Sequence, residues 1–514
     1  MTAVANVATP SRARTGWVLP VLVVVVAIAV AHWATASYMV GVFHDDGVYA
    51  LLARAIANGQ GFHYSHLPGT PAATHYPPLY PLVLALAWRL APSFPENVRF
   101  LLGLNTLCVG AAALGFWRFV TTRLAWRPGH AAIGALAATL ALPVLALSGA
   151  LLSEPLFLAL LWPALLLSER AVESSNSARL LQVGAFVGAL MLLRTHALAL
   201  LLALLLVLAL RQRWRDVALV GAAAVLVQLP WQLWTRWSTP HVATPLQGSY
   251  GPYLGFIAAG VRDGGMRFVL NTIRVNTLEC WLLLQDRFAT GLPAPLHSIA
   301  IAIALIAMAA GAWGAGRKAP VTIVFLTLYM GIVLLFASPP WRYAWAVWPL
   351  FALLMMDGVR TLWRPASNWR LAVTACAAVL GFTYLRTDLH EYATRAWRAP
   401  ARFPTAQIAP VIAWVRTHTG VHDVVLSEGE QVIALYTGRQ VAPPISSTAL
   451  EYLVPSPSSG NVARLTAMLA AVPARYVVLL AAPMVEAAAV MATQHPGLRP
   501  LESLSTGVVY EVVP

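Results

Sequence analysis

Long apolar stretches alternate with short polar loops along most of the chain, and their lengths are those of membrane crossings. The runs cover 17–36, 100–116, 131–148, 156–167, 181–193, 197–210, 217–234, 299–313, 321–336, 344–356 and 371–384. A further run, 79–90, is short and is followed by Pro92 and Pro95. The segment between 236 and 292 reads as a long loop, too polar to cross. Beyond about residue 387 the pattern changes to short helical and strand-like segments. Helices are predicted over 406–417, 463–471 and 485–494, and buried strands over 423–426 and 476–480, with a turn at 436–439. Such a mixture predicts a small α/β domain.

Charge sets the direction of the crossings. Arg12 and Arg14 precede the first run, which places the N-terminus in the cytoplasm and the polar segment after it outside. Arg118, Arg123 and Arg127 belong inside, as do Arg211, Arg213 and Arg215, then Arg317 and Lys318, then Arg360, Arg364 and Arg370. These positions alternate consistently only if 79–90 is a re-entrant or interfacial helix and not a full crossing. The expected fold is a polytopic α-helical membrane protein with about eleven full crossings, that additional helix, and a small C-terminal extracytoplasmic α/β domain. Residues 1–386 form the transmembrane part, with a first extracytoplasmic loop over 38–78, and residues 387–514 the outer domain.

Composition agrees with the pattern. Of 514 residues, 59% are hydrophobic and only 11% charged, and the mean hydropathy is +0.68, too apolar for a soluble protein of this size. The net charge of +14 comes from arginines scattered through loops and not gathered on one face, which argues against nucleic-acid binding. Cys108 and Cys376 sit in apolar runs and Cys280 is alone in a loop, so neither a disulfide framework nor a metal-ligand spacing is visible.

Against this apolar background the segment 43–90 stands out. It begins His44-Asp45-Asp46-Gly47, directly after a crossing, and closes on Thr74-His75-Tyr76-Pro77-Pro78-Leu79-Tyr80-Pro81. The topology brings Asp45, Asp46, His75, Glu154, Arg194, His196 and Arg342 to one membrane face, although they are far apart in sequence. Adjacent carboxylates raise the proton affinity of one of the pair, and such groups can act as a general base or hold a divalent cation. Asp45, Asp46 and Glu154 are therefore the candidate acids, and a divalent cation at these three is a candidate, unassigned cofactor. The plainer reading of the pair is a solvated span end or an N-cap for a helix over 47–57, a role that suits Asp46 in particular. Glu154 interrupts an otherwise apolar run, 131–167, where an acid usually faces a cavity or a partner. His75, Arg194, His196 and Arg342 are either headgroup anchors or phosphate ligands, because guanidinium forks match phosphate oxygens. No nucleotide-binding glycine loop, Ser-His-Asp signature or metalloprotease motif is present.

The acidic pair after the first span, Tyr76-Pro77-Pro78-Leu79-Tyr80-Pro81-Leu82, Leu152-Ser153-Glu154-Pro155-Leu156-Phe157 and Arg342-Tyr343 together resemble the family-C (GT-C) membrane glycosyltransferases. The nearest branch is the bacterial protein-mannosyltransferase-like and aminoarabinose-transferase-like one. The resemblance spans about 17–357, and the tail is similar to the outer domain that some members carry. It implies a polyprenyl-phosphate sugar donor in the membrane, a lipid, glycan or protein acceptor on the periplasmic side, and a place in the bacterial inner membrane. Carried over residue by residue, it implies Asp45 as catalytic base, Asp46 beside it and Glu154 as a second acid of the site. Some relatives place a donor-phosphate lysine just before the proline of the loop motif. Here Tyr76 precedes Pro77 and His75 comes before it, so that contact departs from the pattern.

The residues themselves allow the same chemistry. Asp45 would take the proton of an acceptor hydroxyl or amine as it attacks and inverts the anomeric carbon, while Arg194 or Arg342 stabilises the departing phosphate. A transporter or flippase of a lipid-linked sugar is the alternative. It would place charge near mid-membrane and often shows repeated halves, neither of which the sequence displays.

Overall fold

The computed structural model describes residues 17–36, 38–363, 369–454, 456–494 and 497–513. Arg12, Arg14 and Arg364, which carry part of the orientation argument, lie outside the described residues.

Each of the eleven apolar runs falls on helix. The first half of the chain contains α1 (Val18–Ala34), α2 (Asp45–Ala57), α3 (Leu79–Leu90), α4 (Val98–Arg123), α5 (Pro128–Thr139), α6 (Leu142–Ser148), α7 (Glu154–Glu173), α8 (Ser177–Met191), α9 (Leu198–Leu210) and α10 (Trp214–Ser238). After them come α11 (Gln247–Tyr250), α12 (Tyr253–Phe288), α13 (His297–Gly316), α14 (Pro320–Leu335), α15 (Trp341–Ala346), α16 (Trp348–Leu362) and α17 (Arg370–Thr394). Among the described residues, four helices are long and apolar enough to cross a membrane alone: α4, α7, α10 and α13. The pair α5 and α6 is long and apolar enough only when taken together, and it is bent by 58° where Pro143 at the head of α6 cannot continue the preceding ladder. The remaining apolar helices, including α1, α3, α8, α9 and α14, are shorter. Outward faces stay apolar, as a lipid-facing surface requires: Val225 and Leu226 on α10 are 61% and 67% exposed.

Inside the bundle, small residues let helices approach closely. A Cβ at Gly311 would lie 1.9 Å from the Leu354 carbonyl oxygen, and one at Gly358 1.7 Å from that of Ala307, so α13 and α16 touch backbone to backbone.

The stretch 236–292, expected as a loop, is mostly helical, and Cys280 sits on α12 rather than in a loop. Helix α12 is only weakly apolar on average, and its regular dihedrals break at Gly265. It nevertheless buries Phe268, Thr272 and Asn276, a stripe four residues apart. Asn276 donates to the carbonyls of Val333 and Phe336 at 3.1 and 2.8 Å and accepts from the Tyr452 hydroxyl, pinning α12 between α14 and the tail.

Helix α17 continues through residue 386 to Thr394, and the tail follows it. It contains α18 (Ala399–His418), β1 (Val424–Ser427), α19 (Glu430–Thr437), β2 (Gln440–Ala442), α20 (Ser458–Ala471), β3 (Tyr476–Leu479), α21 (Ala482–Gln494), β4 (Leu498–Ser503) and β5 (Val508–Val512). The sheet order is β2-β1-β3-β5-β4, with β2, β1 and β3 parallel and β5 antiparallel to both of its neighbours. Each element expected over 406–494 is present. The tail is joined to the bundle by the Trp397 indole, which donates to the Ala34 carbonyl at 2.8 Å, and by the Tyr436 hydroxyl, which accepts from the Val40 amide at 3.2 Å.

Candidate active site

Three helix starts and one extended loop supply the site. Asp45 and Asp46 occupy the first turn of α2, and Glu154 the first turn of α7 with Pro155 behind it. Both placements suit the positive end of a helix and the fixed φ of proline. Arg194 lies in extended backbone (φ −146°, ψ 126°) between α8 and the short 3-10 turn Thr195–Ala197. Arg342 enters on α15, which starts directly after Pro339 and Pro340.

Arg342 joins the two acids. Its Nη1 donates to Asp45 Oδ2 at 2.6 Å, and its Nε donates to Glu154 Oε1. Arg194 Nη1 pairs with the same Glu154 oxygen at 2.9 Å and donates to Ser153 Oγ at 2.9 Å. The Tyr76 hydroxyl donates to Asp45 Oδ1 at 2.8 Å. Glu154 is buried to 1% exposure, so a fork-shaped cation with several donors is the partner it needs. Burial would raise the proton affinity of Asp45, but the Arg342 guanidinium, helped by the Tyr76 hydroxyl, outweighs it and holds that carboxyl at about 2. It is therefore ionised at neutral pH.

Asp45, Arg194, His196, Tyr49, Tyr253 and Tyr343 line a cavity of about 30 Å³. His196 stacks on Tyr343 with ring centroids 4.6 Å apart, and the Arg194 guanidinium lies over the same ring at 5.8 Å. Three buried nitrogens here have no partner among the described residues: Arg342 Nη2, Arg194 Nε and His196 Nε2. Buried guanidinium donors left unpaired are costly and call for acceptor oxygens, whereas Glu154 Oε2, also buried without a partner among the described residues, calls for a donor. On another side of Arg342 a cavity of about 80 Å³ is lined by Phe43, Leu147, Trp341 and Trp345. It shares Phe43, Ala146 and Trp397 with a groove of about 1030 Å³ bordered by Arg99, Arg398 and Arg402.

Two expected site residues face elsewhere. Asp46 is fully buried, and its oxygens accept from the amides of Gly41 at 2.7 Å and Phe43 at 3.0 Å. It folds the loop ahead of α2 back on itself, and burial pushes its carboxyl up to about 6 against the pull of those amides. His75 packs on Tyr253 and its Nδ1 donates to the Gly251 carbonyl at 2.5 Å. Burial brings this imidazole down to about 4, so it is neutral at pH 7 and offers a phosphate no charge.

The three acids do not assemble a cation site. Among the described residues no group of three or more His, Cys, Asp or Glu side chains is placed to hold a metal, and the Arg342 guanidinium fills the space between Asp45 and Glu154. A divalent ion there would meet positive charge, so these residues do not fit a metal.

Sequence reasoning missed several contributors. Tyr76 and Ser153 lie inside the motifs that flagged their neighbours, and Tyr343 follows Arg342 directly. Gln431 carried no such signal. It lies in the tail domain, and its Nε2 donates to His44 Nδ1 at 2.6 Å across 387 residues of sequence. His44 itself sits at φ +63°, a strained value for a non-glycine residue immediately before Asp45. The contact surface is tight: Gly41 has φ +105°, and a Cβ there would lie 2.4 Å from Val432 Cγ2. Gly41→Ala is therefore expected to cost about 1–3 kcal/mol in backbone strain and a similar amount, about 1–3 kcal/mol, in overpacking. A thermal midpoint equal to that of the wild type in detergent would show that α19 does not press on this loop.

No protein-family model and no curated protein matches the chain. Among solved structures it is similar to ArnT from Cupriavidus metallidurans. The ArnT structure bound to undecaprenyl phosphate aligns with a TM-score of 0.53 and 13% identity, over 97% of this chain and 98% of that one. The apo structure of the same protein aligns with a TM-score of 0.53 and 14% identity over the same shares. At such identity the likeness is one of fold, and it gives the chain the multi-pass, GT-C-like membrane architecture that the motifs around Asp45, Tyr76, Glu154 and Arg342 implied.

Proposed function

We propose that the chain is an inverting glycosyltransferase. It moves a sugar from a polyprenyl-phosphate donor to a lipid, glycan or protein acceptor on the periplasmic side of the bacterial inner membrane, with the site and the C-terminal domain, about 387–514, on that side. The observation that carries this reading is one ionised carboxylate, Asp45, that shares a cavity with Arg194 and His196 and is bonded by Arg342, each of the three carrying a buried nitrogen without a partner among the described residues. The fold shared with a protein that binds undecaprenyl phosphate supports the donor class.

Charge balance suggests how the step runs. Asp45, Glu154, Arg194 and Arg342 are together neutral, so an arriving phosphate diester adds one negative charge. Arg342 then exchanges part of its grip on Asp45 for the phosphate, which raises the proton affinity of Asp45 and makes it a competent base. The acceptor O–H or N–H gives its proton to Asp45 as its lone pair attacks the anomeric carbon from the face opposite the phosphate. The bond from that carbon to the phosphate oxygen breaks, and its electron pair leaves on polyprenyl phosphate, stabilised by Arg194 and Arg342. Glu154 keeps both guanidiniums aimed, and the groove that reaches Arg342 past Phe43 gives one of the two substrates a lateral path.

The test is reconstitution in liposomes with undecaprenyl-phosphate sugars and an envelope extract of the producing cells. The expected result is free undecaprenyl phosphate accumulating in step with labelled sugar in the acceptor fraction. Movement of intact lipid-linked sugar between leaflets, with no bond cleaved, would sink the reading in favour of a flippase.

A further inference from the structure

A second cavity, of about 450 Å³, lies where the tail domain meets the loop before α2. Its volume is within the usual range for small-molecule sites, roughly 300–1,000 Å³. It opens at the carboxyl ends of β1 and β3. The chain leaves β1 through α19 to β2 on one side, then crosses back through α20 to β3 on the other. Ligands of open α/β sheets bind at just such a reversal. The lining includes His44, Gln407, Ile408, Glu428, Gln431 and Ala481.

The polar groups here are mixed in kind. Gln431 is completely buried, and its Oε1 is an acceptor with no partner among the described residues. Its Nε2 donates to Glu430 at 2.8 Å and to His44 Nδ1, which leaves the proton of that imidazole on Nε2 as a donor. The amides of Leu480 and Ala481, ahead of α21, would attract an anion, but the Glu428 carboxylate already accepts from them at 2.7 and 3.3 Å. An anion would meet that carboxylate and be repelled. Ile408 and Val432 add an apolar wall. Paired acceptors, a donor and an apolar wall match a ring that carries hydroxyls on its rim and C–H groups on its face.

We propose that this crevice binds a neutral saccharide, held by its hydroxyls to Gln431 Oε1, the Glu428 carboxylate and His44 Nε2. The assignment goes beyond the transferase reading. A sugar seated there is one residue from Asp45, and taking it to be part of the acceptor rests on that reading, whereas binding itself does not.

The experiment measures binding without transfer. Saturation-transfer NMR on the detergent-solubilised full chain, with glucose, mannose and galactose each as probe, is expected to give ring-proton signals for at least one hexose. Ala481 and Gln407 are exposed, so Ala481→Phe should fill the crevice and Gln407→Ala should remove a polar neighbour without disturbing the core. A loss of roughly tenfold in signal is expected for Ala481→Phe and a smaller loss for Gln407→Ala, with both variants melting like the wild type. Absence of signal for all three hexoses with the wild-type chain would overturn the proposal, as would an undiminished signal in Ala481→Phe. If Ala481→Phe melts early, Gln407→Ala decides by the same criterion. Loss of transfer activity elsewhere leaves this result unchanged, so the two proposals fail separately.

Discussion

Asp45→Asn is expected to lower the turnover of sugar transfer by about 10²–10⁴-fold, the usual worth of a positioned base, while the protein still folds and still binds undecaprenyl phosphate. The asparagine oxygen can keep the Tyr76 hydroxyl bond, and Arg342 keeps its other partner, Glu154. Only the proton acceptor is lost. Because Arg342 is then released from one carboxylate, affinity for the phosphate should hold or rise. Turnover and lipid binding measured on the same preparation separate the base from a merely structural carboxylate. Transfer at the wild-type rate would end the assignment of Asp45.

Arg342→Ala should have the larger effect on the fold. It leaves Glu154, almost completely buried, with Arg194 as its one cationic partner, and it deprives Asp45 of its ion pair. Removing one member of a buried ion pair typically costs about 3–5 kcal/mol, and lysine should rescue little, since one ammonium cannot fork to two carboxylates. A second consequence is electrostatic. With Arg342 present, the carboxyl of Asp45 stands at about 2, below its ordinary value of 3.8. The resulting stabilisation, roughly 2 kcal/mol on that shift, is present above pH 4 and disappears as pH falls through 2. Without Arg342 burial dominates, the proton affinity of Asp45 rises, and the acid limb of the rate profile should move up in pH. Thermal midpoints and pH profiles of the two proteins check both statements, and coincident acid limbs would mean that Arg342 does not govern Asp45.

Much of this was legible in the sequence because the bilayer enforces it. Apolar runs must be helical in lipid, and charged residues collect where those helices end, so Asp45, Glu154, Arg194 and Arg342 could be gathered at one face from topology alone. Their pairing could not, because which side chain reaches which depends on how the helix ends are tilted and packed. Asp46 illustrates the limit: its neighbour faces the cavity, while it turns to the Gly41 and Phe43 amides, a difference set by the loop and not by residue type. Helix α12 was hidden for another reason. A stripe of Phe268, Thr272 and Asn276 is too narrow and too polar to register in an averaged hydropathy. The contact between Gln431 and His44 joins residues so far apart that no local pattern reports it.

That last contact also orders events in time. The loop carrying His44 and Asp45 leaves the ribosome early, whereas the surface against which Gly41 and His44 are set belongs to residues 431 and 432, made nearly four hundred positions later. Domains generally fold as they are synthesised, N-terminal parts first. The bundle can therefore be seated in the membrane, with Asp46 already able to hold the Gly41 and Phe43 amides, before the surface that Gly41 and His44 rest on has been made.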